Sequence, residues 1–155
     1  MSRIRLLTVG KPRDVRMTGI ADEYLKRLRA GMPVTWDTVS EEPFKKGDET
    51  RALGKEATRL LERMAPDDFV VILDVQGQSI DSETLAARLN EWRTAGKNIV
   101  FVVGGSLGLD EAVRVRAQWR WSLSPLTFPH GLAHVLVSEQ LYRAWTILQG
   151  HPYHK

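Results

Sequence analysis

The sequence predicts an α/β protein with a mostly parallel sheet and helices on both of its faces. Two observations lead to this class. Short apolar runs alternate along the whole chain with segments whose apolar residues recur every three or four positions. Two of the runs, residues 69–74 and 98–103, are almost entirely apolar, which is typical of central strands covered on both faces.

The predicted elements alternate strictly between strand and helix, and their connections are short. Gly10 ends the first strand, Pro66 follows the second helix, Asp81 or Ser82 caps the third, and Gly96 lies near its end. The predicted elements are a strand at 4–9, a helix at 21–30, a strand at 34–39, a helix at 47–64, a strand at 69–74, a turn at 76–79, a helix from 81 or 82, a strand at 98–103, a helix at 111–118, a strand at 120–123 and a helix at 130–149.

The length and composition predict a single domain spanning residues 1–155, long enough to bury a sizeable core. With no cysteine, disulfides and thiolate chemistry are excluded. The apolar run at the N-terminus is too short for a signal peptide, and no stretch approaches a membrane span, so we expect a cytoplasmic protein without a membrane partner.

Three loops follow the predicted central and last strands, at residues 74–79, 104–110 and 123–130. In parallel sheets, ligands bind beyond the carboxyl ends of the strands, where these loops would meet. The loop that begins Gly104-Gly105-Ser106 lacks the Gly-Lys-Ser/Thr of a phosphate loop and the spacing of a dinucleotide fingerprint. A tight turn without a ligand therefore stays an alternative for it, and Asp110 is interpreted as a helix cap.

The loop at 123–129 is apolar but contains two prolines and two hydroxyl side chains. Such a segment suits a wall of a ligand site that packs an aromatic ring and hydrogen-bonds its edge, although a plain connection into the last helix is the alternative.

The last helix is apolar all round, so we expect it to be buried on more than one side, the second side against another subunit. Glu139 and Arg143 have the spacing of a helical ion pair, and His134 is interpreted as a core or interface histidine.

The C-terminal tail, His151-Pro-Tyr-His-Lys155, carries proton-transfer and anion-binding groups where termini are usually bland. The four histidines lack the pattern of a zinc site, so no metal is expected.

Basic residues concentrate at 45–59 and at 114–120, the second stretch together with Trp119 and Trp121. Contact with a nucleic acid and a solvated helix face both fit such stretches.

Five segments, taken in order, resemble the ribosomal large-subunit methyltransferase H family of the SPOUT class. Each is weakly specific alone, but their order and the chain length match over the whole sequence, from Val9-Gly10-Lys11 to the last residue. The five are Gly104-Gly-Ser-Leu-Gly108, Trp121-Ser-Leu-Ser124, Thr127-Phe-Pro-His130, Glu139-Gln-Leu-Tyr-Arg-Ala144 and the tail His151-Pro-Tyr-His-Lys155.

The resemblance implies a SPOUT-type fold with a C-terminal trefoil knot, a homodimer, and S-adenosylmethionine bound in a bent shape within the knot. It implies methyl transfer to N3 of a pseudouridine in 23S rRNA on assembled 70S ribosomes. Tyr153 and His154 match the family's substrate-handling tail, and Lys155 fits its basic last residue. The positions that match the family's cofactor-contacting segments are Leu73, Gly104, Gly105, Leu123, Ser124, Pro125, Leu126, Thr127 and Phe128.

Methyl transfer to a ring nitrogen requires positioning and removal of the nitrogen's proton, whose pKa is roughly 9–10. His154 is the candidate base, Arg143 or Lys155 could stabilise the developing anion, and Tyr153 could stack on the base. The alternatives are a ribosome-associated RNA-binding factor without catalysis, a SPOUT enzyme acting on tRNA, and a nucleotide-dependent oxidoreductase, against which the missing fingerprint argues.

Overall fold

The computed structural model describes residues 2–155, and in them five strands alternate with five helices. The elements are β1 Ile4–Val9, α1 Val15–Leu28, β2 Val34–Val39, α2 Glu49–Glu62, β3 Phe69–Ser79, α3 Ser82–Thr94, β4 Ile99–Val103, α4 Glu111–Arg116, β5 Trp119–Ser122 and α5 His130–Leu148. The predicted α/β class and the predicted order of elements are confirmed.

The strands form one sheet in the order β2-β1-β4-β3-β5, and every neighbouring pair is parallel. The carboxyl ends of all five strands therefore lie along a single edge. Successive side chains of a strand point to opposite faces, so Leu6 and Leu7 of β1 enter different cores. One core lies beneath α1, α3 and α5, and the other beneath α2 and α4, which confirms helices on both faces.

Aspartate side chains set the beginnings of three helices. Asp14, Asp81 and Asp110 each accept a hydrogen bond from a backbone N–H in the first turn of α1, α3 and α4, respectively. The prediction placed α1 at 21–30, six residues too late. The first turns of α1 expose Val15 and Ile20, so the apolar stripe that sequence patterns detect begins only at Ala21, whereas the helix begins at its cap.

The prediction of a turn at residues 76–79 is wrong, because β3 continues to Ser79. The pairing of β3 with β5 shifts between Leu73 and Gln78, both of which lie opposite Trp121. Residues 74–77 form a bulge that leaves the ladder and returns to it. Gly77 permits the return, since a Cβ there would lie 2.6 Å from the backbone carbon and oxygen of Arg120.

No helix in the described range is long and apolar enough to cross a membrane.

His134 of α5 is completely buried, as the core interpretation expected. Its ring packs edge-on against Trp36 and lies near His130. Neither ring nitrogen has a hydrogen-bond partner among the described residues. Burial, with a smaller contribution from His130, lowers the pKa of His134 to about 4, so the ring is neutral in the folded protein at neutral pH.

We expect His134→Phe to flatten the dependence of stability on pH between pH 6.5 and 4. In this window the unfolded wild type gains a proton at its ordinary pKa of 6.5, while the folded protein does not. The wild type should therefore lose about 3 kcal/mol through His134 as the pH falls through this window, and none of that loss above it. Urea unfolding at several pH values measures this, and equal slopes in the two proteins would contradict a neutral, buried His134.

Candidate active site at the carboxyl edge of the sheet

The bulge within β3 and the loops that follow β4 and β5 surround a cavity of about 390 Å³. It lies beyond the carboxyl ends of these strands, where ligands bind in parallel α/β sheets. Its size and its mainly apolar walls fit a small organic molecule. The cavity is lined by Leu73, Asp74, Val75, Val103, Gly104, Gly105, Ser106, Gly108, Leu109, Trp121, Leu123, Ser124, Leu126, Thr127, Phe128, Pro129, His130 and Ala133.

The bulge in β3 supplies the first wall through Leu73, Asp74 and Val75. The Asp74 side chain is only 5% exposed, and its Oδ2 lies 3.3 Å from Nε of Arg114 in α4. Its Oδ1 accepts a hydrogen bond from the N–H of Gln76. The bulge is thus held to α4 and to itself, and Arg114 compensates the charge of Asp74, while Oδ2 itself has no hydrogen-bond partner among the described residues.

The glycine loop after β4 supplies the second wall. It turns back on itself through a bridge between Gly105 and Gly108, and Gly108 has a positive φ of 79°. A Cβ on Gly104 would overlap the carbonyl oxygen of Gly108, and one on Gly105 would lie 3.1 Å from Val9 of β1. The loop therefore needs glycine at 104 and 108, a side chain at 105 would crowd Val9, and the loop backbone approaches the cavity closely.

The third wall is the segment between β5 and α5. The Ser124 hydroxyl accepts a hydrogen bond from the N–H of Leu126, and the Ser122 hydroxyl donates one to the Ser124 carbonyl oxygen. These contacts fix a turn from which Leu126, 68% exposed, borders the cavity. Of the nine residues predicted for the cofactor, all except Pro125 line the cavity; Pro125 is exposed and lies outside it.

The sequence analysis did not assign several other lining residues to the cofactor, among them Val75, Leu109, Trp121 and Ala133. Trp121 and Leu109 are also core residues, so their apolar character carries no separate signal of a binding site. The position of the three loops at one edge was the available signal, and it follows from the parallel sheet alone.

The tail residues lie elsewhere, against the second half of α5. Glu139 binds them together, because its Oε1 accepts hydrogen bonds from Nε of Arg143 at 2.8 Å and from the hydroxyl of Tyr153 at 3.1 Å. The Tyr153 ring packs edge-on against Tyr142, and the Arg143 guanidinium lies over it. Burial and the hydrogen bonds to Tyr24 and Glu139 raise the pKa of Tyr153, so its hydroxyl stays protonated.

His154 lies between Arg143 and Glu83. Its Nδ1 is 3.0 Å from Nη1 of Arg143, and its Nε2 is 2.8 Å from a carboxylate oxygen of Glu83. A guanidinium only donates hydrogen bonds, so Nδ1 accepts, and Nε2 carries the proton that is donated to Glu83. This contact holds the pKa of Glu83 below its usual value. The three predicted catalytic residues, His154, Tyr153 and Arg143, therefore form one hydrogen-bonded cluster around Glu139.

The cluster of predicted catalytic residues and the cavity lie at different ends of α5. Ala133, in its first turn, lines the cavity, whereas Arg143 is ten residues further along. Ten residues of α-helix correspond to about 15 Å along the axis. A side chain of the tail therefore does not reach the cavity of its own chain while it stays bound to Glu139.

The structure divides the two basic stretches into engaged and exposed side chains. Three cations of the first stretch, Arg51, Lys55 and Arg59, converge on the single carboxylate of Glu42, whereas Lys45 and Lys46 are exposed.

In the second stretch, Arg114 pairs with Asp74, and Arg116 donates to the carbonyl oxygens of Ala65 and Asp68. Trp119 and Trp121 are buried core residues, and Arg120 is exposed.

In the described range, no group of three or more His, Cys, Asp or Glu side chains could hold a metal ion.

Comparison with known proteins assigns the chain to a family. Residues 2–154 match the family model described as predicted SPOUT methyltransferase. The chain belongs to the SPOUT methyltransferase family. The predicted methyltransferase activity is thereby confirmed at the level of the family, and the C-terminal trefoil knot, which the family implies, stays a prediction.

Similar curated proteins extend over the whole chain. The protein from Hahella chejuensis is 41% identical over 154 residues, and that from Alkalilimnicola ehrlichii is 46% identical over 158 residues. A relative from Pseudomonas aeruginosa is 41% identical over 157 residues. In each case 99% of this chain and 99% of the relative are covered, and each relative is named ribosomal RNA large subunit methyltransferase H. This confirms the resemblance that the five motifs indicated.

We expect Gly104→Ala to destabilise the protein by about 1–3 kcal/mol, because the new methyl group overlaps the Gly108 carbonyl oxygen and the loop must shift. Gly54→Ala is the matched control, since it lies within α2 with open space around its Cβ position. It should be neutral or stabilise the helix by up to about 1 kcal/mol. Denaturant unfolding compares the two variants, and equal stability would contradict the tight packing of the loop.

Proposed function

We propose that the protein transfers a methyl group from S-adenosylmethionine to N3 of a pseudouridine in 23S rRNA on assembled 70S ribosomes. The observation that carries the proposal is the cavity at the carboxyl edge. It is built from the same three segments that the SPOUT resemblance assigns to the cofactor. The printed names of the relatives, which specify large-subunit ribosomal RNA, support the substrate class.

The residues around the cavity fit the adenosine part of this cofactor. Leu73, Trp121 and Phe128 offer apolar surface for a purine ring, and the close backbone of Gly104 and Gly105 leaves peptide groups for its polar edge. When bound, S-adenosylmethionine supplies an electrophilic methyl group on a positively charged sulfur. The protein then has to place the nucleophilic nitrogen in line and remove its proton.

The catalytic cluster provides groups for that second task. Nδ1 of His154 is the atom that would accept the N3 proton, since Nε2 already donates to Glu83. Arg143, which now donates to Nδ1, would turn to the oxygen beside N3, where negative charge develops. Tyr153, protonated and exposed on one face, would hold the base by stacking or by a hydrogen bond.

A homodimer with sites shared between subunits reconciles the positions of the cavity and the cluster. Arg143, which contacts His154 of the tail, is about 15 Å along α5 from Ala133 in the cavity wall, so the tail of a second chain would complete the site. The outer residues of α5 support such an interface. Leu132, Val135, Leu136, Trp145 and Leu148 are only half-buried in a single chain, although all are large and apolar.

The ribosome would be held through phosphate contacts from exposed cations, of which Lys45, Lys46 and Arg120 are the candidates. Affinity should therefore fall steeply with salt. Recognition would depend on the shape of the assembled target. Because ribosomes are the proposed substrate, we also propose the cytoplasm as the site of action.

The first test is transfer of a labelled methyl group to 70S ribosomes, separated subunits and free rRNA from a strain that lacks this gene. We expect label on one pseudouridine of assembled ribosomes and little on free rRNA. Efficient methylation of free rRNA would contradict recognition by assembled shape. No label on any RNA, with cofactor binding intact, would contradict the rRNA substrate.

The shared site predicts complementation between two inactive variants. One carries Leu126→Asp in the cavity, at a position 68% exposed and therefore tolerant of a charge. The other carries Tyr153→Ala and His154→Ala in the tail. Each alone should be inactive, but after mixing and subunit exchange about a quarter of the sites should be complete, because half of the dimers are mixed and each has one intact pair. Activity that stays at background after exchange would contradict the shared site.

A further inference from the structure

A second cavity of about 660 Å³ adjoins the first along the carboxyl edge of the sheet. The two share Ser106 and His130 in their linings, so they are neighbours. The first cavity lies over β4, β3 and β5. The second draws Arg13 from the segment after β1 and Glu41 from the segment after β2, which places it over the other half of the sheet.

The two cavities differ in the charge of their walls. In the first, the acidic side chain of Asp74 is compensated by Arg114. In the second, a cation and an anion face each other at a longer distance and in a more exposed position, since Nη2 of Arg13, a residue 90% exposed, lies 3.7 Å from Oε2 of Glu41. At this separation both groups keep their capacity to bind a ligand.

The acidic side of this pair is held firmly, whereas the basic side is free to move. The Ser106 hydroxyl donates to Oε1 of Glu41 at 3.1 Å. The next residue, Glu42, donates its backbone N–H to the buried carboxylate of Glu56 at 2.9 Å, which ties the segment to α2. Arg13, in contrast, is 90% exposed, so its guanidinium can turn toward a ligand at little cost.

This arrangement complements a zwitterion. We infer that Arg13 and Glu41 bind the amino-acid end of S-adenosylmethionine, Arg13 the α-carboxylate and Glu41 the α-ammonium group, while the adenosine part occupies the first cavity. The inference rests on the proposed function and adds to it the recognition of the charged end of the cofactor. A guanidinium pairs well with a carboxylate, and a carboxylate with an ammonium group.

A phosphate group of RNA fits the second cavity less well. Glu41 lines it, and a polyanion would meet the negative charge of this carboxylate there. Glu42 is neutralised by Arg51, Lys55 and Arg59, which leaves Glu41 as the uncompensated acid next to Arg13. One free anion beside one free cation matches a ligand that carries one charge of each sign.

The test compares three ligands by calorimetry: S-adenosylhomocysteine, decarboxylated S-adenosylmethionine, which lacks the carboxylate, and 5′-methylthioadenosine, which lacks the amino-acid end. Arg13→Ala should weaken S-adenosylhomocysteine about tenfold and leave the other two unchanged. Glu41→Gln should weaken the two ligands that carry the amino group and leave 5′-methylthioadenosine unchanged. Arg16→Ala, at an 85% exposed position on α1 outside both cavities, removes the same charge and should change none of the three.

Equal affinity of the wild type for S-adenosylhomocysteine and 5′-methylthioadenosine would overturn the inference alone. Equal weakening of all ligands by Arg13→Ala, or the same effect from Arg16→Ala, would also overturn it, since that indicates only a general effect of charge. If the wild type binds none of the three ligands, the proposed function itself fails. Thermal unfolding of each variant checks that the fold is retained, which the exposure of Arg13 favours.

Discussion

The pairing of β3 with β5 across the bulge is the constraint on which the site depends. It places Leu73 and the bulge on one side of the cavity and the segment after Trp121 on the other. The close approach of Gly77 to the backbone of Arg120 lets β3 rejoin the ladder after the bulge. A straight β3 would carry residues 74–77 within the sheet and remove the first wall. Local backbone geometry at a single glycine thus shapes a site that the bulge and two separate loops line.

The charges around the sheet edge are arranged in compensated pairs and one loose pair. Asp74 is matched by Arg114, and Glu42 by three cations, so these groups stabilise the loops rather than bind ligands. The contact between Arg13 and Glu41 is more exposed, since the side chain of Arg13 is 90% exposed. Exposed ion pairs contribute little to stability, so this one has little cost in being opened by a ligand of matching charge.

Glu139 has the corresponding role at the other end of α5. One carboxylate orients both Arg143 and Tyr153, and Arg143 in turn orients His154. The hydrogen bonds leave each tail group in a defined protonation state, with Tyr153 protonated and Nδ1 of His154 as an acceptor. Ordering a terminal segment costs conformational entropy, and this network offsets it. A tail held in this way can act as a fixed part of a site on another subunit.

The sequence by itself determined the fold class, nearly all of the elements and the family. Apolar runs such as residues 98–103 and aspartate caps such as Asp110 act locally, so they can be recognised from the sequence without knowing which segments pack against them. Through the resemblance, the sequence also predicted nine residues for the cofactor site, and eight of these line the cavity.

Only the tertiary structure decided the rest. It made residues 76–79 part of a bulged strand, because that depends on the backbone of Arg120, forty residues away. It placed Trp119 and Trp121 in the core instead of among the exposed cations, and it brought Arg13 to Glu41 from different loops. These outcomes depend on which segments meet in space, and contacts between distant segments leave no periodic pattern along the chain.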